Sequence, residues 1–130
     1  MRLLADTHVF LWYASGSERI PPAVRSALQD PQNDVFLSAA SIWEAIIKHQ
    51  LGKLPLPEHP STFLPQQRVR HGFESLPIDE GCMAHLANLP PHHRDPFDRI
   101  ILAQALQHQL VLVSVDEAFR SYTVPFLKWA

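Results

Sequence analysis

Asp6, Glu44, Asp98 and Asp116 are four carboxylates far apart in the chain, and each stands where a short apolar run ends or a helical pattern begins. Brought to one place they would form an oxygen-rich site of the kind that binds Mg²⁺ or Mn²⁺. Without a cation they would repel one another. A divalent ion relieves that repulsion, bridges to phosphate oxygens and generates or positions a nucleophilic water. Two ions would also stabilise both the attacking and the leaving oxygen.

Each acid also has a purely local explanation. Asp6 before Thr7 can cap a turn, and Ser41-Ile42-Trp43-Glu44 fits an S-x-x-E capping box. In the stretch HRDPFDRIILAQA, residues 93–105, Asp95 suits the N-cap, Pro96 the first helical position and Asp98 the acidic partner of a cap. Asp116 can likewise cap. The two readings are compatible: Asp95, read here as a cap, can start the helix while Asp98 faces a shared edge. Cys82, beside Met83 on an apolar pattern, reads as core. His92-His93 lacks the i, i+4 spacing of a helical zinc site.

The elements must bring these acids together. Residues 2–5, 34–37 and 110–115 are short β-leaning apolar runs, with a further strand expected near residues 74–78. Between them, residues 22–29 and 41–50 have helical spacing, the second stopped by Gly52. Asp79 is expected to cap a helix carrying Met83, Leu86 and Ala87, and Asp95 one that runs to His108. Strands alternating with helices predict an α/β fold, a largely parallel sheet covered on both faces. Ligands then collect beyond the carboxyl ends of the strands, where Asp6 and Asp116 fall and near which Glu44 and Asp98 start their helices.

The whole chain sets bounds on this. With 130 residues it suits one domain, residues 1–130. Its formal net charge is −2, from 11 Lys and Arg against 13 Asp and Glu, so any hold on nucleic acid is through a local patch rather than a broad basic field. Arg94 and Arg99 flank the last helix start, and Arg68, Arg70 and His71 form a second patch or a solvated helical face. Trp12 and Tyr13 are candidates to stack on bases, whereas Trp12, Trp43 and Phe97 also suit core. The acidic turn after MRLLAD, a single cysteine and the shortness of every apolar run lead to the expectation of a cytoplasmic protein with no membrane partner.

Taken together, LLADTHVFLW, LSAASIWEAIIK, LPPHHRDPFDRIILAQA, LVLVSVDEAF and VPFLKWA resemble, in order and spacing over nearly the full chain, the PIN-domain ribonucleases, specifically the VapC-type toxins of toxin-antitoxin modules. The resemblance implies an α/β/α sandwich with Asp6, Glu44 and Asp98 as principal metal ligands and Asp116 as a more variable fourth. It implies supporting hydroxyls at Thr7 and Ser114 and polar roles for Ser38 and Ser41. It further implies Mg²⁺- or Mn²⁺-dependent cleavage of RNA, inhibition by a cognate VapB-like antitoxin, and a homodimer. Exposed apolar side chains on helices after Ile20 or Pro60 would suit such contacts. The rival readings are a metal-dependent phosphohydrolase or phosphoacceptor domain, and a module that binds RNA or protein without cutting. The former wants a phosphate-holding lysine, and Lys48, Lys53 and Lys128 are expected to lie away from the strand ends.

Overall fold

The computed structural model describes residues 1–91, 95–116, 119, 122–127 and 129; expectations resting on His92, His93, Arg94 and Lys128 lie outside the described residues. Strands β1 (Arg2–Ala5), β2 (Asp34–Ser38), β3 (Glu74–Leu76) and β4 (Val111–Val113) form one sheet, parallel throughout, in the order β3-β2-β1-β4. The connecting helices are α1 (Thr7–Ala14), α2 (Pro22–Gln29), α3 (Ala39–Gln50), α4 (Pro60–Arg70), α5 (Met83–Asn88) and α6 (Pro96–His108), with a 3-10 turn at Glu80–Cys82 ahead of α5.

Parallel neighbours need crossover connections, and those connections are right-handed. The chain steps from β1 to β2 to β3 in one direction, then returns past β1 to β4. The helices therefore divide between the two faces. Strand alternation shows the division: Leu3 and Ala5 pack with Val9, Phe10, Val24, Leu28 and Leu64, whereas Leu4 packs with Ile101, Leu102, Ala105 and Leu112. The result is the expected α/β/α sandwich with a parallel sheet.

Register places the residues that matter. Ala5 pairs with Leu37 on one side and Val113 on the other. The next residues, Asp6, Ser38 and Ser114, consequently lie side by side at the carboxyl ends of the three strands. The direction of the connections reverses between β1 and β4, which is the position where an open α/β sheet leaves a crevice.

Several expected boundaries move for identifiable reasons. The β4 ladder stops at Val113 because Ser114 turns its hydroxyl to Asp6, and β3 ends at Leu76 before Pro77, which has no N–H for a ladder. Helix α3 starts at Ala39, since Ser38 caps it by accepting from the Ala40 N–H at 3.0 Å. Asp79 does not cap with its side chain: its carboxylate accepts instead from Gln107 Nε2 at 2.9 Å. Helix α1 follows directly on Asp6, over a run whose apolar residues show no helical stripe. Its Val9, Phe10 and Tyr13 are buried and Leu11 and Trp12 half-buried, so packing on most sides erases the amphipathic signal.

Gln104 ties α6 to the sheet edge. Fully buried on α6, it accepts from the Ser38 hydroxyl at 2.5 Å and donates to the Pro77 carbonyl at 3.1 Å, joining the ends of β2 and β3 to the helix. Gln104→Ala leaves a cavity and the buried Ser38 hydroxyl without its acceptor, which should lower stability by about 2–4 kcal/mol. Urea unfolding measures this, and an unchanged midpoint would contradict the role given to Gln104.

Candidate active site

Asp6 is the last residue before α1 and serves as its N-cap, with Oδ1 accepting from the Val9 N–H at 2.8 Å. Its other oxygen, Oδ2, accepts a very short hydrogen bond from the Ser114 hydroxyl across the β1/β4 crevice. Ser114 Oγ in turn accepts from the Asp116 N–H at 3.0 Å, so the backbone of the fourth acid is fixed through the first. The capping and site readings of Asp6 thus describe one arrangement. Only 4% of Asp6 is exposed. Burial pushes its carboxyl above the ordinary value of 3.8. The Ser114 and Val9 hydrogen bonds and the neighbouring His8 oppose that rise, and Glu44 adds to it.

Glu44 is 3% exposed, inside α3 rather than at its start. The capping-box reading of Ser41 and Glu44 is therefore overturned, because Ser38 already occupies the cap. Glu44 Oε1 lies 2.7 Å from Thr7 Oγ1, and Ser41 Oγ lies 2.9 Å from that same hydroxyl. Thr7 has one proton to give; donated to Glu44, it leaves Ser41 to donate to Thr7. Glu44 Oε2 pairs with Lys48 Nζ at 2.6 Å. This corrects the expectation that Lys48 lies elsewhere, and the signal was present as Glu and Lys at i, i+4.

The remaining expected residues are placed as follows. Asp98 is half-buried in the first turn of α6, capped by Asp95, whose Oδ1 accepts from the Phe97 N–H at 2.9 Å and the Asp98 N–H at 3.3 Å. The rings of Phe97 and Trp43, each one residue from an acid, meet edge to face at 4.8 Å and bring the start of α6 against α3. Trp43 is not core, being 49% exposed. Ser38 is bound to Gln104 and the α3 backbone. Arg99 donates to the Pro90 carbonyl at 3.0 Å, and Arg68 to the Phe73 carbonyl at 2.9 Å, so both guanidinium groups fasten loops; Arg70 is exposed. Cys82 is buried in the second core, as expected, and burial raises its thiol pKa.

Among the described residues no three His, Cys, Asp or Glu side chains converge as a ready metal cage. What converges is the buried pair Asp6 and Glu44, with hydroxyls on both. That donor set fits Mg²⁺, which keeps several waters and is commonly held by one or two carboxylates together with substrate phosphates. A cavity of about 540 Å³ lies between α1, α4 and the segment 54–57, and is lined by His8, Leu11, Trp12, Leu56, Phe63 and Arg70, among others. Apolar exposure after Pro60 is present at Val69, whereas no large exposed apolar side chain lies on α2. No described helix is long and apolar enough to cross a membrane.

Comparison with known proteins agrees with the fold and gives the family. Residues 3–124 match the PIN domain family. A stretch of 61 residues is 43% identical to Ribonuclease VapC16 of Mycobacterium tuberculosis (strain ATCC 25618 / H37Rv), covering 47% of this chain and 43% of that protein, less than half its length. Ribonuclease VapC22 of the same strain is 27% identical over 124 residues, 95% of this chain and 93% of the relative. The fold superimposes on a chain of DNA-bound VapBC from Salmonella typhimurium with a TM-score of 0.74 at 18% identity, over 100% and 99% of the two chains.

A buried carboxylate with a raised pKa lowers stability once ionised. The folded state holds the Asp6 proton more tightly than the unfolded state does, so that contribution is fully present below 3.8 and is lost as pH rises through the folded value. In metal-free protein Asp6→Asn, which keeps the cap, should raise the melting temperature at neutral pH by about 3–5 °C, a shift corresponding to about 1 kcal/mol. The gain should shrink towards pH 4. A variant that melts lower than wild type across that range would show that burial does not strain Asp6.

Proposed function

The chain belongs to the PIN domain family, and from that premise we propose that residues 1–130 are one nuclease domain, a metal-dependent endoribonuclease toxin of the VapC type. The observation that carries the reading is the buried Asp6–Glu44 pair beside the carboxyl end of β1, where each carboxylate's charge disfavours the other's and a divalent ion would relieve both. The names of the two curated relatives support RNA as the substrate.

Asp6 and Glu44 would hold Mg²⁺ or Mn²⁺, with Asp98 and Asp116 completing the shell directly or through water. A bound divalent ion supplies Lewis-acid stabilisation of the phosphodiester oxygens and a water of lowered pKa. The chain's own residues supply orientation. Ser114 and the Val9 N–H hold both Asp6 oxygens, and the Ser41–Thr7 hydroxyl pair aims Glu44. Exposed Arg70, with Arg68 and Arg99 fastening their loops, would guide the phosphate backbone past the acids, and Arg94 is a further candidate by its place in the sequence.

Such an enzyme acts in the cytoplasm, where its RNA is, and must be held inactive by a partner. The VapBC assembly of the structural relative supports a VapB-like antitoxin as that partner, with an apolar segment in the α1/α4 cavity, and a homodimer is the expected form. A phosphoacceptor reading draws on Lys48 beside a carboxylate. It predicts hydroxylamine-labile acyl phosphate on the protein and intact RNA.

The deciding experiment is cleavage of total RNA by antitoxin-free protein. Discrete cuts should require Mg²⁺ or Mn²⁺, vanish with EDTA, and fall by at least about 100-fold in Glu44→Gln and Asp98→Asn. Ser114→Ala, which removes only an orienting hydroxyl, should lose about 10–100-fold. Equal cutting by all these proteins would refute the assignment, and metal-independent cutting would refute the mechanism.

A further inference from the structure

Glu44 has no oxygen facing open solvent as the structure stands. Oε1 lies against the Thr7 hydroxyl at 2.7 Å, and Oε2 lies against Lys48 Nζ at 2.6 Å. The two partners differ in freedom. Thr7 is buried on α1 and bound to Ser41, whereas the Lys48 side chain is 36% exposed, on the outer part of α3 one turn beyond Glu44. Its four-carbon stem lets the ammonium swing to water while the carboxylate stays in place.

A carboxylate this deeply buried is favoured in its ionised form by a positive partner, because an isolated ionised group in a low-dielectric surround is strongly disfavoured. In the absence of a divalent ion that partner is Lys48. An ion that takes Oε2 brings a second positive charge close to the ammonium, and the repulsion between the two favours release of Lys48 to water. Lys48 is the side chain that the structure places in an ion pair with Glu44.

We propose that Lys48 is the resident counter-cation of Glu44: a positioning residue that holds the carboxylate against Thr7 before the divalent ion arrives and gives up Oε2 when it binds. The inference rests on the cation reading of the site given above. Lys48 therefore competes with the metal, and its displacement sets the metal affinity. Once released, its ammonium stands at the mouth of the site with its charge available to a phosphate.

Mn²⁺ binding measured by calorimetry, without RNA, tests this. Lys48→Met should bind Mn²⁺ at least about threefold more tightly than wild type. Lys53→Met, which removes the same charge from an exposed position just past α3, provides the background for general electrostatics and should change affinity less. Lys48→Arg should behave like wild type, and Lys48→Gln provides a second neutral variant should Lys48→Met fold poorly. Melting adds an independent readout: Lys48→Met should melt below wild type without metal, and the gap should close at saturating Mn²⁺. A merely structural lysine would give the same gap in both conditions. If Lys48→Met and Lys53→Met shift affinity equally, or Lys48→Met binds more weakly, the inference is overturned while the cation site stands. If wild type itself binds no Mn²⁺, both fall.

Discussion

The structure turns on one hydrogen bond: the Ser114 hydroxyl to the Asp6 carboxylate, across the crevice between β1 and β4. It closes the sheet at the point where the chain's connections part to opposite faces. It also keeps an acidic side chain at the floor of that crevice, where water is largely excluded. Asp6 is simultaneously the N-cap of α1, so strand end, helix start and site share one carboxylate. Moving Asp6 would disturb all three. The capping bond to Val9 and the bond from Ser114 together satisfy one lone pair on each oxygen and leave the others for a ligand.

The surrounding polar groups form two linked sets. Ser41, Thr7, Glu44 and Lys48 make a chain of hydroxyl, carboxylate and ammonium from α1 into α3. Ser38, Gln104 and the Pro77 carbonyl make a second chain that fixes α6, and with it Asp95 and Asp98, against the carboxyl edge of the sheet. Fully satisfied buried networks of this sort specify a single arrangement, because any slip leaves a polar group stranded. The first set prepares a charge; the second sets the position of the helix that carries the next acid.

Much of this was legible in the residues. The short apolar runs closed by Asp6, Ser38 and Asp116 announced parallel strands ending in polar groups, although the third stops short at Val113, and Asp95-Pro96 announced the start of α6. What the sequence obscured has physical causes. Helix α1 is packed on most sides and so lacks an amphipathic stripe. Ser41 and Glu44 mimic a capping box because serine at Ser38 and serine at Ser41 are both plausible caps, and only the turn out of β2 chooses between them. Gln104 gave no sign of burial, since a glutamine inside an apolar helical run looks like a solvent position until two partners from other elements are known. Lys48 was readable as an i, i+4 partner of Glu44, but its value depends on Glu44 being buried, which a local pattern cannot reveal. The guanidinium groups of Arg68 and Arg99 reached loop carbonyls that no spacing rule anticipates.

The central claim is that the Asp6–Glu44 pair is the place where a divalent ion binds. Amide NMR of antitoxin-free protein with substoichiometric Mn²⁺ tests it most directly, because the paramagnetic ion broadens signals according to distance. The account predicts early loss of the Thr7, Glu44 and Ser114 amide signals while those of Asp34 and Glu74, at the opposite end of the strands, persist. Broadening centred on Asp34 and Glu74, or spread evenly over the surface, would contradict it.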